Sequence, residues 1–368
     1  MMLRLPLFAL LPLLLAAPAW ADEDPHLWLE EVEGEAALEW AVARNAEAVA
    51  AYAADEDFES LQARLLAVYD SPARIPSVSK IGDQYYNLWR DAEHVRGLWR
   101  RTTLDSFRTD EPVWETVLDL DALGEAEGEN WVWKRNKCLG PDYQRCLLFL
   151  SRGGADAVVV REFDLGTRAF VPDGFVMPEG KQEASWVDRD TLFVSADFGP
   201  GSLTESGYER TTRRWKRGTK VEDAPQVFEG QVTDVSASAD RYDRPGFEFE
   251  YGHRSVTFWT SELSVLGKKG AVTVDKPAGA VPDFWRDNLL LQLREDWTVD
   301  GVDYVAGSLL IAPLKPWLKG KKKITVLFTP TDTVSLSDVV HLRDHLLLNL
   351  LDNVVSRIEV LSPGKKAW

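Results

Sequence analysis

The sequence predicts a mainly β fold in which units of four short strands repeat after a short helical segment, and three observations carry that prediction. Fifteen Trp and fifteen Phe stand beside only three Met, more flat aromatic surface than a helical bundle needs and well suited to sheets packed face to face. After Pro76 short apolar runs alternate with turns rich in Gly, Pro and Asp, the text of strands joined by tight connections. One motif also recurs. Arg189-Asp190-Thr191-Leu192, Arg286-Asp287-Asn288-Leu289 and Arg343-Asp344-His345-Leu346 share Arg-Asp-x-Leu followed by two apolar residues, at intervals of 97 and 57 residues. If the first interval holds two units, each is about 48 residues long, the period of a propeller blade. The sequence therefore predicts a β-propeller with about six blade units visible, the last cut off at the C-terminus.

The elements follow in chain order. Met1 to Arg4 form a positive start, Leu5 to Leu15 an apolar run, and Ala19-Trp20-Ala21 a small-x-small site before Asp22; residues 1–21 read as a cleaved export signal. The rival is a membrane anchor, but Leu5 to Ala21 is broken by Pro6, Pro12 and Pro18 and falls short of the roughly 20 apolar residues that span a bilayer. The expected mature chain starts at Asp22, is periplasmic or secreted, and carries 41 basic and 59 acidic residues, 41 − 59 = −18. That charge argues against a nucleic-acid partner, and no later segment is apolar enough to hold a membrane.

Residues 22–76 read as a helical segment. Leu38, Val42, Val49, Leu61, Leu65 and Val68 recur at intervals compatible with one helical face. Two helices are expected, with Asn45 and Asp55-Glu56-Asp57 as possible breaks, and Ser71-Pro72 with Ile75-Pro76 as the linker. Residues 77–368 form the propeller, truncated at the C-terminus. Its predicted strands include Gln84 to Trp89, Arg145 to Leu150, Val158 to Phe163, Ala169 to Val171 and Ser255 to Thr260. Cys138 and Cys146 flank a Gly140-Pro141-Asp142 turn; in an exported protein such a pair favours a disulfide, the alternative being two buried thiols.

Candidate chemistry is sparse. The two glycines four apart are Gly124 and Gly128, with Ala126 between them, so the Gly-x-Ser-x-Gly elbow of a serine hydrolase is absent from these residues and no catalytic residue is assigned. His341 and His345 have the spacing of a helical metal pair, but Leu342 stands where a zincin places its Glu; a hairpin fits better, and neither a metal nor a cofactor is expected. Gly199-Pro200-Gly201 and Gly320-Lys321 read as turns. Arg210, Arg213, Arg214, Lys216, Arg217 and Lys220 surround Trp215 and could cradle an anion or a peptide carboxylate; pairing with the abundant carboxylates, with Trp215 packed between blades, is the more economical reading.

Several stretches carry a resemblance. Asp24-Pro25-His26-Leu27-Trp28-Leu29-Glu30-Glu31, then Trp40 and Asn45, resembles the opening of the prolyl oligopeptidase family of serine peptidases. Gly97-Leu98-Trp99-Arg100-Arg101, Trp114-Glu115, Leu118-Asp119-Leu120-Asp121-Ala122-Leu123 and Val160-Arg161-Glu162-Phe163-Asp164 resemble the propeller of its bacterial secreted members. So do Gly201-Ser202-Leu203-Thr204-Glu205-Ser206-Gly207-Tyr208, Trp215 and Arg217-Gly218-Thr219. Glu209 departs from the pattern, where a Pro is expected after Ser-Gly-Tyr, and puts the local turn in doubt.

The resemblance implies a helical segment and a seven-bladed propeller that filters access to an α/β-hydrolase domain with a Ser-Asp-His triad, cleaving short peptides, typically after proline. On that reading six of seven blades are visible, the triad can be carried to no position here, and this chain alone hydrolyses nothing. The oligopeptide substrate is then a partner through the hydrolase domain. The alternative is a free-standing periplasmic propeller that binds a ligand without catalysis.

Overall fold

The computed structural model describes residues 24–31, 34–53, 55–71, 73–364 and 368. The expected export signal at residues 1–21 lies outside them. Two compact units result, Met1–Pro72 and Ala73–Trp368.

The first unit is helical. A 3-10 turn at Leu27–Glu30 precedes α1 (Glu35–Tyr52) and α2 (Glu56–Tyr69). Asn45 is not a break: it sits inside α1, because an Asn costs a helix interior well under 1 kcal/mol and its Ala- and Glu-rich neighbours outweigh that. The break falls at the acidic stretch, where the Asp55 side chain accepts from the Phe58 backbone N–H at 2.7 Å and caps α2. Leu38, Val42, Val49, Leu61, Leu65 and Val68 are exposed in this unit.

Among its described residues the second unit contains seven antiparallel sheets, six that follow one another as the blades of a propeller and a two-stranded one inserted into the fifth. Blade one comprises Ser79–Ile81, Gln84–Trp89, Leu98–Thr102 and Glu115–Asp119. Blade two comprises Trp131–Cys138, Arg145–Arg152, Val158–Asp164 and Ala169–Phe170, with Val176–Gly180 also pairing its third strand. Blade three holds Glu183–Asp188, Thr191–Ser195, Thr211–Lys216 and Gln226–Glu229, and blade four Ser236–Arg244, Phe247–Ser255, Ser261–Gly267 and Gly270–Thr273. Blade five is Val281–Trp285, Asn288–Gln292, Leu309–Pro313 and Thr325–Phe328. Blade six shows three strands, Val334–His341, Leu346–Asp352 and Val355–Leu361.

All three Arg-Asp pairs of the repeat fall in the turn between the first and second strands of their blades, three, five and six. The Leu that follows is buried each time: Leu192, Leu289 and Leu346 are at most 1% exposed. The 97-residue interval does span two blades. The 57-residue interval is longer because a hairpin, Trp297–Val299 with Val302–Tyr304, is inserted into blade five.

The second strands of blades two, three and five are apolar through their middle because neighbouring blades cover both of their faces. Alternate side chains of Arg145–Arg152 serve different interfaces: Leu148 and Leu150 join Trp99, Trp131 and Phe163 in one core, while Leu147 and Phe149 join Trp186, Leu192 and Val194 of blade three in the next. In blade five Leu289 and Leu291 pack toward blade four, and Leu290 meets Leu346, Leu348 and Leu350 of blade six. Period-two alternation thus feeds two cores from one strand, each buried Leu contributing about 1.5–3 kcal/mol.

One predicted strand is corrected. Only Ser255 of the Ser255 to Thr260 stretch is in a strand; residues 256–260 turn, because the Thr257 hydroxyl accepts from the backbone N–H groups of Trp259 and Thr260, both at 3.1 Å, competing with strand pairing. Among the described residues no helix is long and apolar enough to cross a membrane.

Candidate functional site

First strands of successive blades bring charged side chains together at the propeller centre. Lys137, near the end of the first strand of blade two, places Nζ 3.3 Å from Glu183 Oε2 of blade three and 3.4 Å from Asp240 Oδ2 of blade four. Arg135 pairs with the same Glu183. The Trp186 indole N–H donates to the Lys137 carbonyl at 2.9 Å, so the backbone carrying the network is pinned blade to blade.

These groups border a cavity of about 370 Å³ lined by Lys137, Glu183, Glu209, Asp240, Tyr251, His253 and Asp283, among others. A second cavity of about 770 Å³ shares Lys137 and Asp240 with it and extends to the Cys138 loop, Tyr143, Arg241 and Arg244. The two cavities meet at Lys137 and Asp240, and their charged side chains share the walls with Leu139, Trp186, Leu263 and Phe284.

The first cavity shifts its titratable groups. Burial, reinforced by the negative charge of Glu183 and offset by Arg135 and Lys137, pushes the Glu209 carboxyl up to about 7. Burial also raises the Tyr251 phenol, and it lowers the His253 imidazole, with Lys276 adding to the second effect. Lys276 itself is held down at about 8 by burial, its Nζ donating to the carbonyls of Ser261 at 2.8 Å and Ala280 at 2.9 Å. Near neutral pH Glu209 can take up or release a proton in this wall.

Cys138 and Cys146 form a disulfide, their residues directly opposite in the pairing of the first two strands of blade two. His341 and His345 bracket a hairpin turn and do not converge: His341 Nε2 lies 3.5 Å from Asp283 Oδ2, whereas His345 Nδ1 lies 2.8 Å from Ser362 Oγ at an exposed position. Three arginines of the basic stretch are spent on pairing. Arg210 meets Glu229, Arg214 meets Glu250 at 2.6 Å, and Arg217 meets Glu162 at 2.8 Å, while the Trp215 ring packs 4.9 Å from Phe175 of the preceding blade. Among the described residues no group of three or more His, Cys, Asp or Glu could hold a metal ion.

The turn before Glu209 is intact. Gly207 takes a φ of +74°, its N–H donates to Thr204 O at 3.0 Å, and Thr204 N–H donates to Tyr208 O at 2.9 Å. The departure at Glu209 therefore changes what faces the cavity and leaves the turn alone. Sequence reasoning missed the Lys137, Glu183 and Asp240 network; its signal is a polar residue recurring within otherwise half-buried first strands.

Residues 19–242 match the family model for the prolyl oligopeptidase N-terminal β-propeller domain. The chain belongs to the prolyl oligopeptidase family. It is 36% identical over 356 residues to an uncharacterized peptidase of Sinorhizobium fredii, covering 94% of this chain and 49% of the relative. An uncharacterized peptidase of Rickettsia prowazekii is 27% identical, covering 93% and 50%. Among solved structures, a post-proline cleaving enzyme from Rickettsia typhi superposes with a TM-score of 0.86 at 26% identity, over 93% of this chain and 52% of that one. The chain spans about half the length of these relatives, and what it supplies is the prolyl oligopeptidase family's propeller domain.

Proposed function

We propose that this chain is the access-gating propeller part of an exported prolyl oligopeptidase-like serine peptidase that hydrolyses short peptides, with the Ser-Asp-His chemistry residing in a hydrolase domain outside these 368 residues. The observation that carries the reading is the charged network bordering the two cavities: three successive blades turn Arg135, Lys137, Glu183 and Asp240 inward where a packed apolar centre would be more stable. A charged, hollow centre admits an extended peptide with its backbone hydrogen bonds satisfied and excludes a folded domain. Acyl transfer needs an activated nucleophile, its base and oxyanion donors, and the sequence offers no elbow for the first.

The test is turnover of a chromogenic proline-containing peptide by the purified chain and by the same chain extended with the C-terminal half of the Sinorhizobium fredii relative. The expected result is no turnover by the chain and turnover by the extended protein. Turnover by the chain itself, with labelling of one of its serines by an active-site reagent, would overturn the proposal.

A further inference from the structure

Glu209 is only 7% exposed yet lines the 370 Å³ cavity. Its neighbours there are provided for: Glu183 meets Arg135 and Lys137, Asp240 meets Lys137 and accepts from the Arg241 N–H at 2.7 Å, and Asp283 lies beside His341. The Glu209 carboxylate bonds to its own backbone N–H and, among the described residues, to no other group. Buried carboxyls are ordinarily paired or well hydrogen-bonded. The cavity wall holds four carboxyls, Glu183, Glu209, Asp240 and Asp283, against the Lys137 ammonium in the wall and the Arg135 guanidinium beside it, so negative charge is in excess and the missing partner is a cation. A lone carboxylate suits a compact point charge better than the flat fork of a guanidinium, and the same wall already holds one ammonium between two carboxylates at 3.3 and 3.4 Å.

We propose that this cavity binds a primary ammonium group carried by a peptide, with Glu209 as the anchoring carboxylate. The peptide as carrier rests on the gating reading above; the ammonium site does not require any hydrolysis, so the two can fail separately. The source of the ammonium is either a peptide N-terminus or a lysine side chain, and both offer the same chemistry.

The experiment is calorimetric titration of the full chain, at pH 8 and low salt, with glycyl-norleucine amide, N-acetyl-glycyl-lysine amide and N-acetyl-glycyl-norleucine amide. At least one of the first two should bind ten times or more tightly than the third, and which one does so identifies the source. Glu209→Gln should weaken that binding at least tenfold while unfolding cooperatively; Glu262→Gln, at an exposed pair with Arg254, should leave it unchanged. As a check needing no variant, affinity of the unmodified chain should fall at least tenfold from pH 8 to pH 5.5, as Glu209 gains its proton among Glu183, Arg135, Lys137, Asp240, Tyr251, His253 and Asp283, and this dependence should flatten in Glu209→Gln. Equal binding of the uncharged probe, no binding of either charged probe at millimolar concentration, or an unaltered Glu209→Gln would overturn the proposal.

Discussion

Arg217 and Glu162, fifty-five residues apart, form a two-pronged ion pair in which Nη1 donates to Oε2 at 2.8 Å and Nη2 to Oε1 at 3.1 Å. Glu162 is buried in blade two and also accepts from the Phe175 N–H at 2.9 Å. Arg217 follows the third strand of blade three and reaches Asp190 of the Arg-Asp-x-Leu turn with Nε at 2.9 Å. One guanidinium therefore ties the repeat of one blade to the interior of the blade before it.

Glu162→Ala should destabilise the fold by about 1–3 kcal/mol, because it removes the buried acceptor of both Arg217 and the Phe175 N–H while Arg217 keeps Asp190. The exposed pair of Arg357 with Asp352 at 3.2 Å is the contrast, and Asp352→Ala should cost no more than about 1 kcal/mol. Urea unfolding of both variants beside the parent checks the pair of values.

Leu192→Ala, Leu289→Ala and Leu346→Ala should each cost about 2–5 kcal/mol, since all three are fully buried at the equivalent step of their blades. Thermal unfolding would show whether the three losses match; a loss confined to one blade would mean that the repeat does not mark one structural position.

That position was legible because Arg-Asp-x-Leu combines a polar turn with a Leu at the start of a strand buried on both faces, the first or second residue of the strand, a local pattern with a local cause. The failures have tertiary or competing causes. Asn45 reads as a break on propensity alone, yet the helix around it supplies enough neighbours to carry it through. Residues 256–260 have strand-forming composition, and a single hydroxyl at Thr257 turns them instead. At Glu209 the sequence shows a departure from the family pattern; its burial depends on blades two to four converging, which no local spacing encodes.

The disulfide between Cys138 and Cys146 closes a short loop and should stabilise the fold by about 2–3 kcal/mol on loop entropy. Unfolding with and without reductant measures the difference, and mass spectrometry of unreduced peptides should find the two half-cystines in one linked species.

Glu209 makes stability depend on pH. Its carboxyl is raised from 4.5 to about 7 in the fold, so the folded state holds that proton more tightly than the unfolded chain, and stability is lost as pH rises from about 4.5 through 7. Glu209→Gln removes this penalty and should gain up to about 3 kcal/mol at pH 8 relative to the parent, with little gain at pH 4.5. Urea midpoints at the two pH values read the effect; equal gains at both would show that burial of charge is not its source.

The most direct test of gating is a comparison of peptide lengths. In the chain extended with the C-terminal half of the Sinorhizobium fredii relative, kcat/KM is measured for one proline-containing cleavage sequence presented in a short peptide and in a folded protein loop, and the same pair is measured for that C-terminal half without the propeller. The account predicts strong preference for the short peptide when the propeller is present and loss of that preference when it is absent. Equal discrimination by the two proteins would contradict it.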